Sequence, residues 1–192
     1  DTVVMYPIDI ITTAHTMYLN GEIDWDTNVP LDQIDALKGR PDYHVDPQLA
    51  SYYYCFNMSK KPFDDVRVRR ALAMAIDRDR LVTQVTKSGE IPAYSMTPPM
   101  SGYVPPALKK GSIEEAQRLL AEAGYPGGKG FPQFLILYNT SENHKKIAEF
   151  IMGEWERNLG ITGVQLVNQE FKTYLTTRRQ NQFDVSRAGW IG

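Results

Sequence analysis

One arginine near the C-terminal end of the chain is well suited to hold an anion. Arg187 lies in the segment FDVSRAGW, in which apolar residues predominate. A guanidinium presents a planar fork of N–H donors that matches a carboxylate bidentately. The position is therefore a candidate anchor for an anionic ligand group. The alternative interpretation is a structural ion pair with a nearby acid such as Asp184.

The other chemically active residue types do not fall into catalytic or metal-binding patterns. The glycines at 127, 128 and 130 surround a lysine, but neither strand-to-helix geometry nor a following Ser or Thr supports a phosphate loop. No serine lies in a nucleophile elbow, and helix capping explains the acidic pairs at 64–65 and 114–115. Three histidines lack metal-ligand spacing: His15, His44 and His144. The sequence gives no positive support for an enzyme, a metal site or a cofactor.

Composition indicates a globular protein of ordinary polarity. The 192 residues are 42% hydrophobic and 23% charged, with a net charge of −2. No basic stripe interleaves with aromatic residues, so we expect no nucleic-acid partner. Cys55 is the single cysteine, which excludes a disulfide within the chain. The chain starts at Asp1 without a methionine, and we expect it to be an interior fragment of a longer, exported protein.

The first half is predicted to contain short elements and one long helix. A strand is expected over residues 2–10, helices over 12–19 and 30–37, and extended chain over 23–25 and 43–56. Within residues 56–81, a polar entry loop is predicted to lead into a long helix that Asp64 or Asp65 caps. After the long helix, Asp77 or Asp79 is expected to cap a second helix through Val85, which Gly89 ends. A proline-rich loop over 90–106 follows. The residues predicted to share the apolar face of the long helix are Val66, Ala71, Leu72, Ala75 and Ile76.

The second half is predicted to alternate helices and strands. Ser112 and Glu115 form a capping box at the start of a helix over 112–123. Strands are expected over 134–138, 164–167 and 183–190, and helices over 141–159 and 171–179. Such alternation favours an α/β layer in which neighbouring strands are parallel.

Three segments resemble a known family. The segment FNMSKKPFDDVRVRRALAMAIDRDRL, residues 56–81, contains FN, PF, D-x-R-V-R-x-A-L and A-I-D-R in an order that resembles the peptide- and nickel-binding proteins of bacterial ABC importers, the family 5 extracellular solute-binding proteins. The turn NGEID at 20–24 is similar to the same family. The segment RAGW at 187–190 resembles its oligopeptide-binding branch.

The resemblance implies an α/β fragment of a two-lobe fold like that of periplasmic binding proteins. In such proteins, two lobes joined by a hinge close over the ligand. Residues 1–50 would be the tail of the first lobe and residues 51–192 most of the C-terminal lobe. The change of pattern over 47–51 is where we place the boundary.

The resemblance also implies a peptide-binding strand. The main chain of this strand would pair with the peptide, and Arg187 would receive the carboxylate of some peptides. An aspartate expected a few residues beyond Gly192 would bind the peptide's amino terminus, so we expect the fragment alone to hold no peptide tightly. The strand residues concerned are Arg187, Ala188, Gly189 and Trp190.

Two further candidates concern the carboxyl terminus of the peptide. His144 would meet the carboxylate of a longer peptide, although a capping or surface histidine is the alternative. Lys87 lies beside the position of a lysine that serves shorter peptides, while Thr86 occupies that position itself.

The remaining candidates would form the walls of the cleft. Tyr53 would face the ligand, or else belong to the core, and Phe171 would replace a tryptophan as an apolar wall. Arg178 and Asn28 complete the candidate ligand-binding residues. Cys55 occupies a position where the branch carries an acid, so a preference for basic side chains there should be lost.

The function implied by the resemblance is capture of short oligopeptides for import, without catalysis or cofactor. Partners would be the peptide and the membrane permease of an ABC importer, and the location would be the periplasm or an anchor in the cell envelope. We expect the full-length protein to be a monomer, whereas the fragment would tend to self-associate through the strand at 183–190. One alternative is a relative that binds nickel, haem or murein peptide. The other is an unrelated α/β hydrolase-like module, which no residue in the sequence supports.

Overall fold

The computed structural model describes residues 2–46, 48–100, 102–107 and 110–192. Pro47 of the expected boundary and Ser101 of the proline-rich loop lie outside the described residues. The helices are α1 Ile11–Leu19, α2 Ile34–Leu37, α3 Val66–Met74, α4 Arg78–Arg80, α5 Ile113–Glu122, α6 Glu142–Leu159 and α7 Phe171–Arg179. A π-helical turn over Leu81–Thr86 continues α4, and a 3-10 turn over Pro126–Gly128 follows α5. The strands are β1 Ala50–Phe56, β2 Phe134–Asn139, β3 Val164–Gln169 and β4 Val185–Ile191.

The four strands form one mixed sheet in the order β1-β4-β2-β3. Strand β2 is parallel to both β3 and β4, so the predicted α/β layer with adjacent parallel strands is confirmed. Strand β1 pairs antiparallel with the whole of β4. By contrast, β2 pairs with β4 only at Val185 and Ser186. The C-terminal part of β4 therefore continues beyond its pairing with β2.

The main hydrophobic core lies between one face of the sheet and helices α3, α5 and α6. Trp155 of α6 is fully buried there, and its indole N–H donates to the carbonyl of Leu72 in α3 at 2.8 Å. Phe63 stacks on Phe56 and contacts Phe134 edge-on, which ties the entry to α3 to the sheet. Helix α7 covers the opposite face through a smaller cluster of Leu137, Tyr174 and Phe183.

The elements with explicit capping signals form where they are predicted. Ser112 accepts the N–H of Glu115 at 3.1 Å, and α5 begins directly after it. Helix α7 has the predicted bounds, because Glu170 caps its first N–H groups. None of the helices in the described ranges is both long and apolar enough to span a bilayer.

Three predictions about the first half are wrong: the strand over residues 2–10, the burial of Val66, and the end of the second helix at Gly89. Residues 2–10 form no strand, because β-branched residues alone do not stabilise a strand that has no partner to bury them. By contrast, the second helix capped by Asp77 or Asp79 is confirmed: α3 ends at Met74, and Asp77 caps the next turn by accepting the N–H of Arg80 at 2.9 Å. Val66 is 54% exposed, and Val68 takes its expected place in the core. The second helix ends at Lys87, which has a left-handed backbone, rather than at Gly89.

Candidate functional site

The main chain of β4 has an open edge at its C-terminal end. Backbone bonds join Gly192 to Leu49 and Asn57 to Asp184, each at 2.8 Å, at the two ends of the β1–β4 ladder. Because an antiparallel ladder alternates, the even-numbered residues of β4 bond to β1 and the odd-numbered ones face the other edge. Strand β2 pairs with β4 no further than Ser186. In the described part of the chain, the outward backbone groups of Gly189 and Ile191 therefore have no strand partner.

The side chain of Arg187 lies beside this edge without an acidic partner. Its guanidinium is 4.7 Å above the ring of Tyr52, and Nη1 donates to Oδ1 of Asn139 at 3.1 Å. Its Nε is buried and has no hydrogen-bond partner among the described residues. The half-buried cation thus has donor capacity left for an anion.

The proposed pairing of Arg187 with Asp184 is wrong. Asp184 binds Lys60 at 2.7 Å and also accepts the backbone N–H of Leu135 at 3.0 Å. The two residues are three positions apart, so strand alternation directs their side chains to opposite faces of the sheet. Arg187 is thereby left free of a structural acid within the described ranges.

His144 lies close to Arg187 through a shared neighbour. Its Nδ1 is 3.2 Å from the hydroxyl of Tyr52, and the two rings are 5.6 Å apart. Burial, together with the positive charge of Arg187, lowers the pKa of His144 to about 4. The imidazole is therefore neutral at pH 7. Ser141 is the N-cap residue of α6, so His144 does not cap this helix.

A second group of candidates lies on the α7 side of the sheet. Arg178 donates from Nε to Oγ of Ser186 at 3.0 Å and contacts Sγ of Cys55 at 3.8 Å. The ring of Tyr174 lies under this guanidinium, and its hydroxyl donates to the carbonyl of Arg187. Phe171 stacks on Tyr174 with ring centroids 6.3 Å apart, and it is 54% exposed.

Three strand candidates belong to this same face. Tyr53 pairs with Ala188 in the β1–β4 register, and alternation places both on the α7 side, opposite Arg187. Ala188 is buried, whereas Trp190 is 68% exposed at the end of β4. The candidates therefore divide between the two faces that border the open edge.

Lys87 and Asn28 lie outside both groups. Lys87 forms an ion pair with Asp35 of α2. Asn28 bonds to Asp26 and Thr27 on the surface. The next carbonyl, that of Val29, accepts from the amide of Asn143, which places this turn beside the start of α6. The contacts of neither residue connect it to Arg187.

Sequence reasoning missed Tyr52, Tyr54 and Asn139 as parts of the site. Tyr54 packs edge-on against Tyr52, and its hydroxyl is buried without a partner in the described residues. Burial raises the pKa of Tyr54. Three consecutive tyrosines gave no sign of which ones face Arg187, because that depends on the register between β1 and β4.

The arrangement offers recognition groups rather than reactive ones. It combines an open strand edge, a cation with no acidic partner in the described part of the chain, and aromatic side chains on both faces. No group of three or more His, Cys, Asp or Glu residues converges for a metal in the described ranges. The geometry is therefore suited to binding an extended chain that carries a negative group.

The family model for bacterial extracellular solute-binding proteins, family 5 Middle, matches residues 1–192. The chain belongs to this family.

Relatives within family 5 include oligopeptide-binding proteins. The chain is 46% identical to the periplasmic oligopeptide-binding protein OppA of Salmonella typhimurium, and the match covers 96% of this chain and 35% of that protein. A crystal structure of the Borrelia burgdorferi oligopeptide-binding protein OppAIV superposes with a TM-score of 0.92 at 41% identity, covering 97% of this chain and 37% of that one. Haemophilus influenzae OppA in complex with RPPGFSPFR has a TM-score of 0.85 at 37% identity, with 96% and 38% covered. The chain thus spans little more than a third of the length of these relatives.

Proposed function

We propose that this chain forms most of the C-terminal lobe of a two-lobe protein that captures short oligopeptides for a bacterial ABC importer. The observation that carries the proposal is the open edge of β4 beside Arg187, a half-buried cation with no acidic partner in the described residues. A peptide supplies both missing partners, since it has backbone groups for the edge and a terminal carboxylate for the guanidinium.

Binding proceeds by strand addition along β4. Backbone hydrogen bonds form with any peptide sequence, and alternate side chains of the peptide point to opposite faces of the sheet. The face of Arg187 and His144 receives the carboxyl end, while Arg178, Phe171 and Trp190 border the other face. Water in these side-chain spaces satisfies different polar groups, which permits broad specificity. The protein performs no catalysis.

The relatives support the cellular setting of this proposal. The Salmonella relative is a periplasmic oligopeptide-binding protein, and the Haemophilus relative holds a nine-residue peptide. We infer a periplasmic or envelope-anchored location for this protein and delivery of its peptide to a membrane permease. In the full-length protein, a first lobe closes over the ligand as a hinge bends, and the protein acts as a monomer.

The test is calorimetric titration of the full-length protein with alanine peptides of three to six residues. Arg187→Ala should weaken binding of the peptide length whose carboxylate reaches the guanidinium by about 2–5 kcal/mol, because a desolvated charge loses its partner. Other lengths should lose much less. Arg118→Ala is the matched control, since Arg118 pairs with Glu122 on the exposed side of α5.

Two outcomes would contradict the proposal. Equal losses at every peptide length would make Arg187 a structural residue. Tight binding of nickel or haem, with no heat from any peptide, would favour another branch of the family.

A further inference from the structure

Tyr52 contacts both side chains that we assign to the carboxylate of the peptide. The Arg187 guanidinium lies 4.7 Å from the centre of its ring, and its hydroxyl is 3.2 Å from Nδ1 of His144. Arg187 belongs to β4, whereas His144 belongs to the first turn of α6. Tyr52, from β1, is thus the bridge between two elements that do not pair with each other there.

We propose that Tyr52 is a positioning residue that fixes Arg187 with its ring and His144 with its hydroxyl, so that two parts of one side chain serve peptides of different length. This inference rests on the proposed function. Each residue of an added peptide strand advances the chain by about 3.3 Å. At a given peptide length, the terminal carboxylate therefore reaches either Arg187 of β4 or His144 of α6.

The ring of Tyr52 determines where the guanidinium lies. A cation over an aromatic face within about 6 Å is attracted by the ring quadrupole. The glycine that pairs with Tyr52 in the ladder provides the space for this position, since a Cβ added at Gly189 would lie 3.3 Å from Nη2 of Arg187. Oδ1 of Asn139 accepts a hydrogen bond from Nη1 at 3.1 Å. The guanidinium is therefore oriented before any ligand arrives.

The hydroxyl of Tyr52 determines the orientation of the imidazole. The neutral ring of His144 has one nitrogen engaged with this hydroxyl, which fixes the plane of the ring. Tyr54 in turn packs edge-on against Tyr52, with centroids 6.0 Å apart, and limits rotation of its ring. Removing the hydroxyl alone would free His144 and leave the support under Arg187 in place.

The experiment compares two substitutions in the full-length protein. Arg187→Ala and His144→Ala first identify the alanine-peptide lengths that depend on each residue. Tyr52→Phe should then weaken the His144-dependent lengths about 2- to 10-fold, the range expected for one hydrogen bond, and change the Arg187-dependent lengths less than about twofold. Tyr52→Leu should weaken binding of peptides of both sets of lengths. At the Arg187-dependent lengths, we expect affinity to fall about 2- to 30-fold, because the cation–π contact is lost.

The controls are Tyr125→Phe and Tyr125→Leu, because Tyr125 packs against Phe131 beyond the end of α5. Neither should change peptide affinity. The inference is overturned if Tyr52→Phe weakens all lengths equally or none, and the Phe variant keeps the test valid should the Leu variant not fold. If Arg187→Ala and His144→Ala show no dependence on length, the proposed function itself fails. If Arg187→Ala and His144→Ala do depend on peptide length, but the Tyr52 variants weaken all lengths alike, only the proposed role of Tyr52 is contradicted.

Discussion

Arg187 is held in a way that favours an anionic ligand over an empty site. Withdrawing a guanidinium from water costs free energy, which a neutral amide and an aromatic face offset only in part. In the described residues its contacts are of those two kinds, from Asn139 and Tyr52. A carboxylate that enters the groove supplies the missing charge and accepts from the unpaired Nε. Under the proposed function, this uncompensated charge of Arg187 is what selects a peptide terminus.

At the residue scale, the pKa of His144 predicts a pH-dependent loss of stability. The folded pKa of about 4 lies below the ordinary value of 6.5, so the unfolded chain binds the proton more readily between these values. Stability should therefore fall as the pH drops from about 6.5 to 4. The ring is partly exposed, which limits the effect to roughly 1–2 kcal/mol.

Denaturant unfolding of the wild type and His144→Gln at pH 4 to 7.5 measures this effect. The variant should lose less stability toward low pH, while His44→Gln, at an exposed position, should follow the wild type. Superimposable profiles for all three proteins would contradict the assignment.

Sequence reasoning identified Arg187 but not its surroundings. The segment RAGW is local, so it can be recognised without knowing the fold. By contrast, the role of Tyr52 depends on a register that places it opposite Gly189 in another strand. The resemblance points to Tyr53 in the same run of tyrosines, whereas it is the neighbouring Tyr52 that contacts Arg187.

At the scale of elements, local signals predicted boundaries well where a cap defines them. Helices α5 and α7 begin directly after their capping residues, Ser112 and Glu170. The break after α3 is likewise predicted from its capping residue, Asp77, but the distant carboxylate that stabilises the break is not. Glu154 of α6 accepts the backbone N–H of Asp77 at 3.0 Å and binds Arg80 at 3.1 Å. Sequence alone cannot pair groups that are more than 70 residues apart.

Glu154 should therefore matter more than any other acid of α6. It is fully buried, and Arg157 also binds its carboxylate. Glu154→Ala leaves these donors without a partner and should lower the free energy of unfolding by about 3–5 kcal/mol. Glu156→Ala, at an exposed position of the same helix, should change it by less than about 0.5 kcal/mol. Urea unfolding monitored by circular dichroism distinguishes them, and equal midpoints would refute the role of Glu154.

At the scale of the whole molecule, the division at residue 50 stays a prediction that several contacts support. The segment before β1 meets α6 and the π-helical turn through polar side chains, as in the pairs Asp32–Lys146 and Asp35–Lys87. Its buried hydrophobic residues, Leu31, Ile34 and Leu37, do not belong to the main core cluster. Polar contacts of this kind are what we expect if residues 1–50 pack on the periphery of an α/β domain formed by residues 51–192.

The last prediction concerns the 192 residues expressed alone. They span about 35% of the Salmonella relative, and the proposed clamshell needs a second wall to exclude water and add hydrogen bonds. Without the first lobe, a peptide bound along β4 remains exposed to solvent. Closure of the two lobes then adds no free energy that favours the bound state. We therefore expect no saturable heat with tripeptides up to about millimolar concentration, whereas the full-length protein should bind them. The exposed edge from Gly189 to Ile191 should instead pair with a second copy, visible as a dimer in sedimentation at high concentration. A micromolar dissociation constant for any tripeptide, measured on this segment by itself, would show that one lobe is sufficient.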